Sequence, residues 1–222
     1  MKILIVSATA KENGFITGLE IKKGVPFRVV ESFSHDVDAL VAGVGAVPTT
    51  FFLAQAIGQY QLVINIGIAG SFNSKYAIGS VVCVNEDVFG DYGIDDRGTF
   101  KSLSEVNLLA NENFPFHGDA LINPWLRAEF AEVKWPLVKG VTLSTVSGSK
   151  ERISRISERW KADIETMESA AVFYVCNLIG VKFICFRAIS NMVEPRDKSK
   201  WLLEKAINNL TAEVRNFINS IP

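Results

Sequence analysis

The chain has few of the residues that bind metals or form disulfides. Its 222 residues include only two histidines and three cysteines. Cys83, Cys176 and Cys185 lie in apolar runs without paired spacing, which argues against a disulfide framework and predicts buried thiols in a reducing cytoplasm. Neither His35 nor His117 has a cysteine or a second histidine at ligand spacing, so we expect no metal site and interpret both as structural or exposed.

The sequence also has little net charge and no long hydrophobic run. It carries 23 Lys and Arg against 24 Asp and Glu, a formal net charge of -1, which gives no basic field to attract nucleic acid. No apolar run approaches the roughly 20 residues of a membrane helix, and the apolar N-terminus is too short for a signal peptide. We therefore expect neither nucleic acid nor a membrane as a partner.

Apolar residues make up 48% of the chain and are arranged in short runs. Runs typical of strands occupy residues 2–6, 27–32, 38–44, 62–66, 81–84, 140–146 and 181–189. Helical patterns occupy residues 47–60, 125–130, 150–160 and 167–179, and an amphipathic helix begins near Leu202. This alternation predicts an α/β fold over residues 1–222, a single-domain three-layer sandwich with a central twisted mixed β-sheet flanked by helices.

Two glycine-rich segments follow predicted strands. The first, Gly43-Val44-Gly45, precedes a helix, but Pro48 occupies the third glycine position of the dinucleotide fingerprint and no acidic residue follows at the expected place. The second, Gly67-Ile68-Ala69-Gly70-Ser71, is also predicted to be a turn. Its glycines either satisfy turn geometry or let the backbone approach a ligand closely.

The segment 85–100 is rich in acids, glycines and aromatic residues. Its carboxylates, including Asp87, Asp91 and Asp95, suggest a metal site on first inspection. We interpret the segment instead as a solvated loop or a subunit contact.

Polar residues follow the first and last predicted strands. Glu12 stands just beyond the first strand, where it either complements a helix dipole or faces a ligand crevice. The last strand ends in Ser190 and Asn191, and ligands of α/β proteins bind outside the carboxyl ends of strands. Met167 and Glu168 stand at the head of the apolar helix that precedes this strand. These residues are the candidates for chemistry.

The pair Met167-Glu168 and the string Arg187-Ala188-Ile189-Ser190-Asn191 resemble motifs of the nucleoside phosphorylase and nucleosidase superfamily. The resemblance covers most of the chain, including Glu12 and both glycine segments. It implies a nucleoside phosphorylase-like fold, a small-molecule purine nucleoside as partner, no metal or organic cofactor, and a homo-oligomer, a dimer or larger.

The resemblance also implies roles for individual residues. Met167 would pack on the ribose, Glu168 would accept hydrogen bonds from its hydroxyl groups, and Glu12 would deprotonate an attacking water. The other substrate contacts that it implies are Ile68, Thr145, Val146, Arg187 and Ser190.

The motif departs from that of the adenine-specific nucleosidases, which end the strand in Ser-Asp. Here Asn191 takes the position of the acid, and an amide suits the edge of a 6-oxopurine such as hypoxanthine or guanine. Phosphorylases of the family hold phosphate with arginines, and no arginine accompanies either glycine segment. The sequence therefore favours water over phosphate as the nucleophile.

The segment 190–201 is similar to one branch of the family, which hydrolyses futalosine to dehypoxanthine futalosine and hypoxanthine in menaquinone biosynthesis. Futalosine carries a carboxylated aromatic group on the 5′ side of its ribose. Arg196, Lys198 or Lys200 could neutralise that carboxylate, and the alternative is a solvated charged loop. Three other functions stay open: an adenine-specific nucleosidase, a purine nucleoside phosphorylase, and a catalytically silent nucleoside-binding protein.

Overall fold

The structure is a computed structural model that describes residues 1–15, 21–109, 114–128 and 134–222. Its strands are β1 (Lys2–Ser7), β2 (Phe27–Arg28), β3 (Asp36–Val41), β4 (Leu62–Ser71), β5 (Val81–Phe89), β6 (Gly93–Asp96), β7 (Thr99–Ser102), β8 (Phe116–His117), β9 (Ala120–Ile122), β10 (Leu137–Thr142), β11 (Ile164–Thr166) and β12 (Lys182–Met192). Its α-helices are α1 (Ala46–Ala56), α2 (Trp125–Ala128), α3 (Lys150–Trp160), α4 (Ser169–Ile179) and α5 (Leu203–Ser220).

Ten of these described strands form one mixed sheet, and β6 pairs with β7 in a separate hairpin. The sheet follows the order β2-β3-β1-β4-β11-β10-β5-β9-β8, and β12 pairs with both β4 and β5. The strands β1, β3, β4 and β12 run parallel to one another, whereas β11 runs antiparallel to β4 and β12 runs antiparallel to β5. β12 pairs with β4 and β5, and β11 pairs with β4 and β10. Since β10 also pairs with β5, these five strands form a closed ring in the middle of the sheet.

Helices cover both faces of the sheet. On one face, Leu53 of α1 and Phe173 of α4 pack with inward side chains of β1, β4 and β5. On the other face, Leu210 and Val214 of α5 pack with side chains of β1, β4 and β12. Each such buried side chain contributes about 1.5–3 kcal/mol. The predicted α/β fold, a mixed sheet flanked by helices, is confirmed.

The second glycine-rich segment was predicted to be a turn, and this prediction is wrong. β4 runs through it to Ser71, because Gly67 pairs with Arg187 of β12 and Gly70 pairs with Glu165 of β11. These glycines instead let side chains of other residues lie close to the backbone of β4. A Cβ added at Gly70 would stand 2.9 Å from a methyl carbon of Val193.

Several predicted boundaries also move. The strand predicted over 140–146 is β10, which ends at Thr142, and the strand predicted over 27–32 is reduced to β2. The helix predicted over 125–130 is observed as α2, and its last two residues lie outside the described part of the chain. The segment 85–100 is not a loop. Asp87 lies fully buried in β5, where its Oδ1 accepts a hydrogen bond from Thr142 Oγ1 at 2.9 Å.

The predictions for the cysteines, the histidines and the end of α4 agree with the structure. All three cysteines are free and buried. His35 contacts the carbonyl oxygen of Ile221 at 3.2 Å, and His117 is exposed. Gly180 ends α4 in the left-handed conformation, with φ of 76°. Among the described residues, no helix combines the length and apolar character needed to cross a membrane.

Candidate active site

A cavity of about 860 Å³ opens at the carboxyl ends of β1, β4 and β12. These strands run parallel, so their ends meet at one edge of the sheet. Eight of the ten residues predicted to act on a substrate line this cavity: Glu12, Ile68, Val146, Met167, Glu168, Ser190, Asn191 and Arg196. Glu168 and Asn191 therefore face one shared space, as the predicted site requires.

Glu12 is held by hydrogen bonds to both of its oxygens. It ends a short 3-10 helix that Thr9 caps, and its Oε2 accepts from the N–H of Thr9 at 3.0 Å and from Thr9 Oγ1 at 2.8 Å. Its Oε1 accepts from the N–H of Ile68 at 3.3 Å. Glu12 can therefore cap a helix and face a ligand crevice at the same time, because Oε2 accepts the capping hydrogen bonds while Oε1 faces β4.

Glu168 is the N-cap residue of α4 and faces the first glycine segment. Its Oε1 accepts from the N–H of Gly45 at 2.8 Å. Gly45 has φ of 94°, a conformation that favours glycine, so this contact depends on the residue type. Burial raises the pKa of Glu168, while the N–H of Gly45 and the charge of Arg187 oppose the rise. An ionised carboxylate here can accept further hydrogen bonds from hydroxyl groups.

Asn191 is oriented by its neighbours on β12. Its Oδ1 accepts from Ser190 Oγ at 2.8 Å, and its Nδ2 donates to the carbonyl oxygen of Met192 at 2.8 Å. A register shift between Ile189 and Asn191 brings Nδ2 over Gly70, where an added Cβ would stand 3.2 Å away. One N–H of the amide is left to donate into the cavity.

Arg187 is buried beneath the cavity and does not line it. It is 1% exposed and donates from Nη2 to Asn65 Oδ1 at 2.5 Å. A Cβ added at Gly67 would stand 3.3 Å from Glu12 Oε1 and 3.6 Å from Nε and Cζ of Arg187. The guanidinium therefore approaches Glu12 across the bare backbone of Gly67, and its buried Nε has no hydrogen-bond partner in the described structure.

Thr145 lies outside the cavity. β10 ends at Thr142, and the following loop carries Thr145 to the surface, where its carbonyl oxygen accepts from Arg152 Nη2 at 2.6 Å. Val146, the next residue, turns back to line the cavity. The expected contact at Thr145 depended on a longer strand than the one observed.

Glu165 and Ser147 also line the cavity, and neither had a predicted role. Glu165 of β11 is 7% exposed, and both of its carboxylate oxygens lie 3.0 Å from the N–H of Ser147. Glu165 had a sequence signal, because it is an acidic residue three positions before Glu168. The hydrogen bond from Ser147 to Glu165 had no sequence signal, because it joins residues 18 positions apart.

The cavity mouth carries the charged segment that follows β12. The guanidinium of Arg196 lies over the ring of Trp201, with Cζ 5.5 Å from the ring centroid, and both residues line the cavity. Lys200 is paired with Glu194 at 2.8 Å, and neither Lys200 nor Lys198 lines the cavity. Of the three cations predicted to meet a substrate carboxylate, the structure brings Arg196 to the site.

Acidic side chains outnumber basic ones in the cavity wall. The acidic lining residues are Glu12, Glu165, Glu168, Glu194, Asp197 and Glu204, and the basic ones are Lys11 and Arg196. Such a site favours a reaction in which positive charge develops on the ligand. Within the described ranges, no three His, Cys, Asp or Glu side chains cluster closely enough to hold a metal ion.

A second cavity, of about 1050 Å³, lies at the opposite edge of the sheet. It is lined by Leu62 and Lys182, the first residues of β4 and β12, and by Trp125 and Trp135. None of the predicted site residues reaches it. We place the chemistry in the smaller cavity, because the candidate acids and the amide converge there.

Known proteins resemble this chain in sequence and in fold. It is 30% identical over 182 residues to a futalosine hydrolase of Thermus thermophilus, covering 81% of this chain and 80% of that one. It is 28% identical to a 5′-methylthioadenosine/S-adenosylhomocysteine nucleosidase of Actinobacillus succinogenes, covering 86% of each. The structure of the Helicobacter pylori futalosine hydrolase superposes with a TM-score of 0.78 at 19% identity, covering 99% of this chain and 98% of that one.

A family model described as the phosphorylase superfamily matches residues 2–219, nearly the whole chain. The matched range includes the strands, the glycine segments and every acid that faces the cavity. The chain therefore belongs to the phosphorylase superfamily.

Proposed function

We propose that the chain hydrolyses the N-glycosidic bond of a 6-oxopurine nucleoside, and that its substrate is futalosine, which it converts to dehypoxanthine futalosine and hypoxanthine. The observation that carries this proposal is the shared cavity in which Glu12, Glu168 and Asn191 converge. The 30% identical relative is a futalosine hydrolase, which supports the choice of substrate.

Glu168 holds the sugar in this proposal. The N–H of Gly45 fixes one of its oxygens, and the remaining lone pairs accept the ribose hydroxyl groups while Met167 packs on the ring. Cleavage passes through an oxocarbenium-like sugar. Glu168 stabilises that state more than the neutral substrate, because its negative charge attracts the developing cation.

Water attacks from the side of Gly67. The space above this glycine is bounded by Glu12 Oε1, which lines the cavity, so a water there can donate to the carboxylate, while the guanidinium of Arg187 stays buried behind the backbone. As the oxygen bonds to the anomeric carbon, Glu12 takes the proton as general base. The bond from that carbon to the purine nitrogen breaks, and its electron pair leaves with the base. The departing base takes up a proton from solvent, and Glu12 releases the proton that it accepted, so neutral hypoxanthine is the product.

Asn191 meets the departing purine. Its Oδ1 accepts from Ser190 Oγ and one of its N–H groups donates to Met192, so the second N–H donates to N7 or to the 6-oxo group and stabilises the negative charge that builds on the base. At the mouth, Arg196 pairs with the carboxylate of the 5′ aromatic group, and Trp201 stacks on the ring. Ile68, Val146 and Ser190 complete the walls.

A 5′-methylthioadenosine/S-adenosylhomocysteine nucleosidase is the second candidate, favoured by the 28% identical relative of that name. Asn191 argues against it, because an amide in this orientation cannot give a proton to an adenine leaving group. A phosphorylase is disfavoured because phosphorylases of the family hold phosphate with arginines, and Arg196 is the one arginine among the residues that line the described cavity. The release of free base from futalosine, inosine and methylthioadenosine, measured with and without phosphate, distinguishes these three enzymes by their substrate and by their need for phosphate. A silent binding protein would release no base from any of the three.

The change Glu12→Gln is expected to lower kcat by about 10²–10⁴-fold, since it removes the general base while keeping the shape of the side chain. Nucleoside binding, measured by calorimetry, should change little. Glu158→Gln on the exposed side of α3 is the charge-matched control and should keep full activity. Unchanged turnover by Glu12→Gln would remove this residue from the mechanism.

The change Asn191→Asp is expected to shift the preference from hypoxanthine nucleosides toward adenine nucleosides, because a carboxylic acid can donate a proton to N7. Ser190 Oγ can still donate to the new carboxylate, so the position should be kept. The ratio of kcat/KM for inosine to that for adenosine measures the effect. An unaltered ratio would contradict the role of Asn191 in base preference.

The change Arg196→Gln is expected to raise KM for futalosine about two- to fivefold, the range of an exposed ion pair, and to leave KM for inosine unchanged because inosine lacks the carboxylate. Lys198→Gln, in the same segment but outside the cavity, is the matched control. Equal effects on both substrates would show that Arg196 does not meet the carboxylate.

We also propose that the chain forms a homo-oligomer, a dimer or larger. Val44, Val47 and Phe51 make an apolar stripe at the start of α1 and are 53%, 83% and 56% exposed. Val44 also lines the cavity, so a second copy on this stripe would cover its rim. Sedimentation equilibrium should give at least twice the monomer mass of 24.4 kDa, and a monomer at micromolar concentration would contradict the proposal.

A further inference from the structure

The first turn of α4 is capped by a side chain from another strand. An N-cap side chain ordinarily accepts a hydrogen bond from one of the first N–H groups of its own helix, which have no acceptor within the helix. Glu168, the N-cap residue of α4, makes no such bond. The N–H of Ala170 donates instead to Thr142 Oγ1 of β10 at 2.9 Å. A hydroxyl group 28 positions earlier in the chain therefore replaces the side chain of Glu168 as the cap.

The hydroxyl group of Thr142 has two further partners. It donates to Asp87 Oδ1 at 2.9 Å, and it lies 3.1 Å from Thr166 Oγ1. All three residues are buried, with at most 3% of their surface exposed, so solvent water is not available to replace any of these partners. A hydroxyl group has one proton and two lone pairs. The three contacts of Thr142 Oγ1 therefore use its full capacity.

Asp87 fixes the direction of these hydrogen bonds. Burial raises the pKa of Asp87 to about 7, while the hydrogen bond from Thr142 and the charge of Arg187 oppose the rise. Above that pH the carboxylate can only accept hydrogen bonds. The proton of Thr142 is then committed to Asp87, and its lone pairs are left for the N–H of Ala170 and the hydroxyl group of Thr166.

The cap from Thr142 leaves the carboxylate of Glu168 available to the cavity. Glu168 lines the cavity, and its Oε1 accepts from the N–H of Gly45 at 2.8 Å. Without an acceptor, the N–H of Ala170 would attract the carboxylate of Glu168, because negative charge is stabilised at the N-terminus of a helix. A carboxylate that capped its own helix would be drawn away from Gly45 and from a ligand.

We propose that Thr142 is a positioning residue for the sugar site, because it caps α4 and so keeps the carboxylate of Glu168 in the cavity. Thr142 does not itself line the cavity, so it acts through Glu168. The inference rests on the proposed function, because it takes the ligand of Glu168 to be a ribose. It predicts a defect that depends on the hydroxyl groups of the sugar, which a general loss of stability would not produce.

Two substitutions at position 142 separate the hydroxyl group from the shape of the side chain. Thr142→Val keeps the shape and removes the cap, whereas Thr142→Ser keeps the hydroxyl group and serves as the conservative rescue. Thr211→Val is the matched control for the loss of a buried hydroxyl group. Thr211 is 9% exposed, donates to the carbonyl oxygen of Ile207 within α5 at 2.9 Å, and does not line the cavity.

The test compares kcat/KM for inosine with kcat/KM for 2′-deoxyinosine, at a pH above the pKa of Asp87. We expect the wild-type chain to prefer inosine, and Thr142→Val to lower this preference about tenfold, because a hydrogen bond from the sugar to a charged acceptor is weakened. Thr142→Ser and Thr211→Val should keep the wild-type preference. An unchanged preference in Thr142→Val, or an equal fall in Thr211→Val, would overturn the proposal.

The same comparison can be made without turnover. The C-nucleoside analogue of inosine is not hydrolysed, because a carbon–carbon bond joins its base to the sugar. Calorimetry with this analogue and its 2′-deoxy form should show the same loss of preference in Thr142→Val, and equal losses in all variants would contradict the role of Thr142. A chain that shows the expected loss but releases no base from futalosine or inosine would contradict the proposed hydrolase alone.

A third measurement uses the wild-type chain, so it does not depend on the folding of Thr142→Val. Hydrogen exchange followed by NMR reports whether the N–H of Ala170 has an acceptor. We expect this N–H to exchange at least about tenfold more slowly than an unprotected amide, because Thr142 holds it. Exchange at the rate of an unprotected amide would show that the cap is absent and would overturn the proposal.

Discussion

The close approach of side chains over the bare backbone of β4 is the constraint on which the site depends. Gly67 lets Glu12 and the buried guanidinium of Arg187 face each other, and Gly70 lets the amide of Asn191 lie above the strand. Any Cβ at Gly67 would enter the space where we place the attacking water. The segment is rich in glycine because side chains from other elements occupy the volume above it.

Buried negative charge is the second feature of the site. Burial raises the pKa of both Glu165 and Glu168, and each is held by a backbone N–H, from Ser147 and Gly45. Backbone donors fix the position of a carboxylate without neutralising its charge as a lysine partner would. The acids are thus available to a ligand that brings hydroxyl groups, ring N–H groups or developing positive charge, and a nucleoside undergoing cleavage brings all three.

In the proposed mode of binding, recognition of the two ends of the substrate is divided between different parts of the fold. The side chains assigned to the base and the ribose lie on strands and at the head of α4. The side chains assigned to the 5′ group lie in the segment after β12, where Arg196 is exposed and stacks on Trp201. We expect base preference to be strict and the 5′ preference to be weaker, because screened surface charges contribute less than buried ones.

The sequence by itself determined the α/β class, the strand and helix patterns, and the acids and amide that line the cavity, because apolar periodicity and strand-end polarity are local signals. It did not reveal that β4 continues through its glycines, since the reason is a contact with β11 and β12. It implied a substrate contact for Arg187 and left Glu165 without a role. Only the tertiary structure placed Arg187 beneath Gly67 and Glu165 across from Asn191, because both positions depend on strands that pair far apart in the chain.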